Sequence, residues 1–119
     1  MGPLTDARAS ERMLQSFWDE AGSYGARVLI VGAASADNAQ AESMRAWFVD
    51  AEVDSVEILP ITTRQSAHDP ALVAMVDTAT GILIMDGNPL RFAAMLGGTP
   101  VAQSIRRANA RGRIVGGVG

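Results

Sequence analysis

Four short apolar runs punctuate the chain: "ARVLIV" at 26–31, "SVEILPI" at 55–61, "GILIM" at 81–85 and "RIVGG" at 113–117. Short continuous apolar runs suit strands buried on both faces. Between them lie stretches whose apolar residues recur at helical spacing. Strands alternating with helices imply a parallel sheet covered on both sides. The predicted fold is α/β, a doubly wound parallel sheet of about four strands with helices on both faces, flavodoxin-like or Rossmann-like. No internal repeat, linker or low-complexity tract interrupts the pattern, so residues 1–119 read as a single α/β domain.

The helices carry their own punctuation. Met13, Leu14, Phe17, Trp18 and Ala21 predict a helix from about residue 10 to residue 21, stopped by Gly22. After Asp37 and Asn38, a second helix carries Ala41, Met44, Trp47, Phe48 and Ala51 on one stripe. Asp69-Pro70 is an N-cap followed by a favoured first helical residue, opening a helix to about residue 78. A short helix is expected over "LRFAAML". Thr99-Pro100 repeats the cap device, turning Val101, Ile105 and Ala108 inward and Arg106, Arg107 and Arg111 to solvent, with Gly112 as the stop.

Composition narrows the chemistry. With 48% hydrophobic and 19% charged residues the chain is globular in type. It has no cysteine, which excludes disulfides, thiolate metal sites and cysteine nucleophiles. All its basic residues are arginine, which removes Schiff-base and Walker-type lysine chemistry. A net charge of −3 argues against a nucleic-acid partner. No apolar run reaches the roughly 18 residues of a membrane span, and "MGPLTDARASER" has no signal-peptide core, so a cytoplasmic protein without a membrane partner is expected.

In doubly wound folds ligands bind beyond the C-terminal ends of the strands. Those ends are "GAAS", "TTRQS", "DGNP" and "GGVG", three of them with glycine, which lets the backbone bring its N–H groups close to a ligand. One such turn is ordinary; the set on one rim points to a site. Neither "GAASAD" nor "DGNPLR" fits a dinucleotide fingerprint. His68 is the sole histidine, so no zinc set and no cofactor is expected. Ser35, His68 and Asp86 form a conceivable triad, because triads are defined by geometry rather than order; a solvated histidine beside the Asp69 cap is the commoner case. Arg64 either holds a ligand carboxylate or is an ordinary surface arginine.

The stretches "ERMLQSFWDEAG", "ARVLIVGAAS", "ITTRQSA", "TGILIMDGNPLRF" and "GGTPVAQSIRRANARGRIVGG" together resemble the amino-terminal half of the cyanophycinase and aspartyl dipeptidase family of serine peptidases. The resemblance implies a class I glutamine amidotransferase-like version of the fold and a domain that continues past these residues. It also implies cleavage of peptide or isopeptide bonds beside aspartate; cyanophycinases cut a polymer of aspartate and arginine into β-Asp-Arg dipeptides. The family's nucleophile sits in a G-T-S-A-G-A elbow after the strand equivalent to "RIVGG", at or just beyond Gly119. Its general base and acid lie further on.

No catalytic residue is therefore assigned in this chain, which is expected to be inactive alone. The substrate-binding candidates are Arg64, Gly87 and Asn88. The family's Gly-Gly-Asp-Gln turn supplies an oxyanion N–H and a substrate-binding glutamine; here Gly87 matches, while Asp86, Asn88 and Pro89 depart from it. Asp86 has the wrong charge to stabilise an oxyanion. That departure supports an alternative, a non-catalytic relative binding a small anionic or amino-acid-like ligand. An incomplete sheet further implies a homo-oligomer or a complementing chain, with Trp18, Trp47 and Phe48 inside the fold or at that contact.

Overall fold

A strand with apolar residues on both faces needs a layer on each side, and the computed structural model supplies both. It describes residues 3–32, 38–61, 63–85 and 89–118. In chain order the elements are α1 (Pro3–Ala21), β1 (Arg27–Val31), α2 (Asn38–Asp50), β2 (Ser55–Leu59), α3 (Pro70–Thr78), β3 (Gly81–Ile84), α4 (Pro89–Met95), α5 (Pro100–Ala110) and β4 (Ile114–Gly117). The strands form one sheet in the order β2-β1-β3-β4, and every pairing is parallel. That is the flavodoxin-like order rather than the Rossmann one. No helix among the described residues is long and apolar enough to cross a membrane.

The period of two sorts the strand residues between two cores. Val28, Ile30 and Leu83 meet Leu14, Phe17 and Ala21 of α1 and Ala41 and Phe48 of α2. Leu29, Val31, Ile82 and Ile84 meet Leu72 and Val76 of α3, Phe92 of α4, and Val101, Ile105 and Ala108 of α5. The central strands β1 and β3 are buried along almost their whole length, whereas the outer strands β2 and β4 are half-buried. Phe17 meets Phe48 edge to face, with centroids 5.7 Å apart.

Close packing of α1 depends on a glycine. A Cβ on Gly81 of β3 would lie 2.7 Å from the Ala21 methyl and 3.0 Å from the Phe17 ring. Hydrogen bonds then fix the ends of these elements. The Thr80 hydroxyl donates to the Ala21 carbonyl at 2.6 Å and accepts from the Arg27 amide at 2.8 Å, joining the end of α1 to the starts of β1 and β3. Trp18 is half-buried and donates its indole N–H to the Ala51 carbonyl at 3.1 Å, while Phe48 is fully buried.

On the opposite face α3 and α5 are stapled together. Ser104 is fully buried, and its hydroxyl donates to Asp77 Oδ1 at 2.5 Å. Arg113 donates to the carbonyls of Asp77 and Ala79, closing the C-terminal end of α3. Thr99, also fully buried, accepts from the Ala102 amide and donates to the Leu96 carbonyl, capping α5 while holding the turn from α4.

Several boundaries differ from the sequence reading; β1 and β4 begin one residue later, at Arg27 and Ile114, and β3 ends one sooner, at Ile84. The first helix begins at Pro3 rather than near residue 10, since proline suits a first helical position and Leu4, Ala7 and Ala9 favour helix. Strand β2 ends at Leu59, not residue 61, because Pro60 has no N–H to continue a ladder. Helix α4 takes in Pro89 and ends one residue sooner than expected, at Met95. Single turns of 3-10 helix at Ser23–Gly25 and Gln65–His68 had no distinct sequence signal.

Candidate functional site

The strand register makes the C-terminal rim level. Val31 pairs with both Leu59 and Ile84, and Ile84 pairs with Gly117. Gly32, Arg64 and Gly117 thus follow or end strands at the same end of the sheet. Beyond Gly117 the Val118 amide still donates to the Ile84 carbonyl at 2.8 Å, so the ladder runs one bond past the strand. The chain leaves β1 for the α1–α2 face and leaves β3 for the α4–α5 face. Adjacent strands whose connections diverge in this way open the crevice where such folds bind ligands. Gly87 and Asn88, with Ser35, Asp86 and Gly119, lie outside the described residues.

Arg64 begins the turn that follows β2. It adopts a helical backbone and leads into the 3-10 turn Gln65–His68. Its guanidinium donates to the Met95 carbonyl at 3.1 Å and to the Gly97 carbonyl, tying the exit of β2 to the end of α4. The arginine nonetheless remains exposed. A guanidinium has five N–H donors in a fixed fork, so two carbonyl bonds leave others for a carboxylate.

Beside it lies an open hollow of about 840 Å³ lined by Arg64, Gln65, Ser66, His68, Asp69 and Pro70. Its floor is ordered by local bonds. Ser66 Oγ donates to the Thr63 carbonyl at 2.6 Å, and the Thr63 and Ser66 amides each donate to the other's hydroxyl oxygen, at 3.3 and 3.2 Å. Asp69 Oδ1 accepts from the Ala71 amide at 2.9 Å and so caps α3, as the Asp-Pro pair predicted. His68 is exposed, and its ring makes no hydrogen bond to another described residue. Ser66, His68 and Asp69 are therefore neighbours without the bonds of a nucleophile–base–acid relay. The turn presents polar groups and the Arg64 cation, and no activated nucleophile among the described residues. Sequence reading found Arg64 but missed this basin, because Ser66 and His68 fall in a turn with no periodicity.

No family model matches the chain. Curated relatives do. The chain is 29% identical to the cyanophycinases of Synechococcus elongatus and Thermosynechococcus vestitus, in each case across 98% of its length. It is 28% identical to the cyanophycinase of a Nostoc species across 90% of its length. It spans only 37% of the first two proteins and 36% of the third. Among solved structures, a peptidase from an acI-B1 actinobacterium matches 90% of this chain and 47% of its own, with a TM-score of 0.70 at 23% identity. The chain is thus cyanophycinase-like in sequence nearly from end to end, and it shares the α/β fold of that peptidase.

Proposed function

We propose that these residues form the amino-terminal part of a cyanophycinase-like serine peptidase domain that cleaves Asp-containing peptide or isopeptide bonds. The observation that carries this reading is the similarity to cyanophycinases across 98% of the chain. In this reading the chain supplies the rim of the substrate crevice, with Arg64, Gly87 and Asn88 binding substrate, and β4 leads toward the nucleophile elbow. The 119 residues alone do not hydrolyse. Covalent serine catalysis needs a nucleophile held against an oriented base, and His68, the sole histidine, is exposed without such a bond.

The test is to incubate the purified chain with cyanophycin and with β-Asp-Arg and to follow dipeptide and aspartate release. No turnover is expected. Turnover abolished by His68→Ala or Ser35→Ala would reveal an independent local triad and overturn the inactive reading.

The second reading, a non-catalytic relative that binds a small anionic or amino-acid-like ligand at the rim, is favoured by the Asp86-Gly87-Asn88-Pro89 sequence where the family has its oxyanion turn. Weak binding of β-Asp-Arg that disappears in Arg64→Ala supports a binding rim under either reading. The half-buried outer strands β2 and β4 favour a second copy or a complementing chain along a sheet edge. A monomer in sedimentation at high concentration would count against association of copies.

A further inference from the structure

The opposite end of the sheet carries a second, different hollow. Tyr24 just precedes β1 and Glu52 just precedes β2, so both sit at the N-terminal ends of the strands, away from the rim. Between α1 and α2 they border an open cavity of about 470 Å³, lined also by Glu11, Trp18, Trp47 and Asp50. Three aromatic rings and three carboxylates meet there, and no basic side chain lines it.

Two of the rings are held by hydrogen bonds. Trp18 is fixed by its bond to the Ala51 carbonyl and meets Tyr24 edge to face at 5.1 Å. Trp47 donates its indole N–H to both carboxylate oxygens of Glu11 at 3.0 Å, which also stations a negative charge at the mouth. Tyr24 is 65% exposed, an unusual position for so large a ring. Among the described residues no group of three carboxylates is placed to hold a metal ion.

Glu52 sits in an unusual backbone position. The backbone after α2 turns left-handed at Glu52, with φ 60°, and the Glu52 and Val53 amides close on the carbonyls of Val49 and Phe48. This helix ending normally takes glycine or asparagine at the left-handed position. The chain follows that habit after α4 and α5, where Gly98 and Gly112 have positive φ, while after α1 both Gly22 and Ser23 do. After α2 it keeps a carboxylate in a backbone conformation that disfavours it.

We propose that this aromatic, acid-rimmed hollow binds a weakly hydrated organic cation, a guanidinium or methylated ammonium group. Such a cation is attracted to ring faces and to the surrounding carboxylates at once. The two bonded indoles lower the ordering cost of binding. The site is separate from the proposed peptidase rim, so its test does not depend on hydrolysis.

Both tryptophans of the chain line the hollow, so intrinsic fluorescence reads it directly. The folded chain is titrated with choline and with argininamide, each beside its uncharged isostere, 3,3-dimethylbutanol or citrullinamide. A saturable emission change is expected with at least one cation, half-complete on the order of 1 mM, and none with the isosteres. Response to choline alone identifies a methylated ammonium as the preferred group; response to argininamide alone identifies a guanidinium. Glu52→Asn suits the left-handed backbone, so it should keep or raise the urea midpoint while weakening cation binding roughly three- to tenfold. Equal response to the isosteres, absence of saturation, or unchanged affinity in Glu52→Asn overturns the proposal. So does sedimentation showing that copies associate through this face, which would make a protein its occupant.

Discussion

The Arg64 guanidinium reaches the Met95 carbonyl, 3.1 Å away and thirty-one positions along the chain, and so couples the turn after β2 to the end of α4. A rim arginine here orders the rim itself. Its replacement by alanine removes two charge-assisted bonds to carbonyls and should lower stability by about 1–2 kcal/mol, less than a buried pair because the residue is exposed. Urea unfolding measures this. Arg64→Lys should restore only part of the loss, since an ammonium cannot span both carbonyls as a planar fork does. Full recovery with lysine would show that charge alone matters.

Gly81 and Gly116 should behave differently although both face Phe17. An added methyl at Gly81 meets Ala21 at 2.7 Å, whereas at Gly116 its closest neighbours, Leu83 and Phe17, lie at an ordinary 3.6 Å. Gly81→Ala should cost about 1–3 kcal/mol through forced displacement of α1. Gly116→Ala should be close to neutral. Equal losses in thermal melts would contradict the packing of α1 on β3.

The Ser104 hydroxyl beside Asp77 holds that carboxyl below its ordinary value of 3.8, with Arg107 adding to the effect and partial burial opposing it. A carboxylate whose folded value is depressed contributes stability that is present above the unfolded value and lost as pH falls through the folded one. Acid destabilisation from Asp77 therefore belongs below about pH 4. Ser104→Ala should cost about 1 kcal/mol at neutral pH and flatten the acid limb of a stability–pH profile. Asp77→Asn should remove that limb's contribution altogether, and an unchanged profile would argue against the bond.

Thr99→Val keeps the shape of a fully buried side chain but removes its hydroxyl. The Ala102 amide loses its cap and the Leu96 carbonyl its donor. A loss of about 1–2 kcal/mol is expected in denaturant unfolding. Thr99→Ser should recover most of it, because serine caps as well as threonine.

Much of the fold is legible because each strand needs two apolar faces and each helix one. Ile82, Leu83 and Ile84 announce a central strand by being apolar without alternation, and all three are fully buried. Asp69-Pro70 and Thr99-Pro100 state where α3 and α5 begin, since capping chemistry is local. Pro3 carries the same signal, yet no apolar stripe distinguishes the first turns of α1 from an unstructured terminus. The site is less legible for a physical reason. Arg64 gives no hint in sequence that its partners are the carbonyls of Met95 and Gly97, because main-chain acceptors are the same at every residue. The Ser104–Asp77 bond is hidden likewise, joining two helices twenty-seven positions apart.

Thr80 carries a consequence for the order in which the chain assembles. Its hydroxyl bonds link residues fifty-three and fifty-nine positions away, so neither bond can form until a large loop has closed and β1 and β3 lie side by side. Long loop closures of this kind slow folding. Exchange of the Arg27 amide with heavy water then marks the reverse event. That proton is held by a side chain at an exposed strand start, and its rate should report how often the starts of β1 and β3 separate.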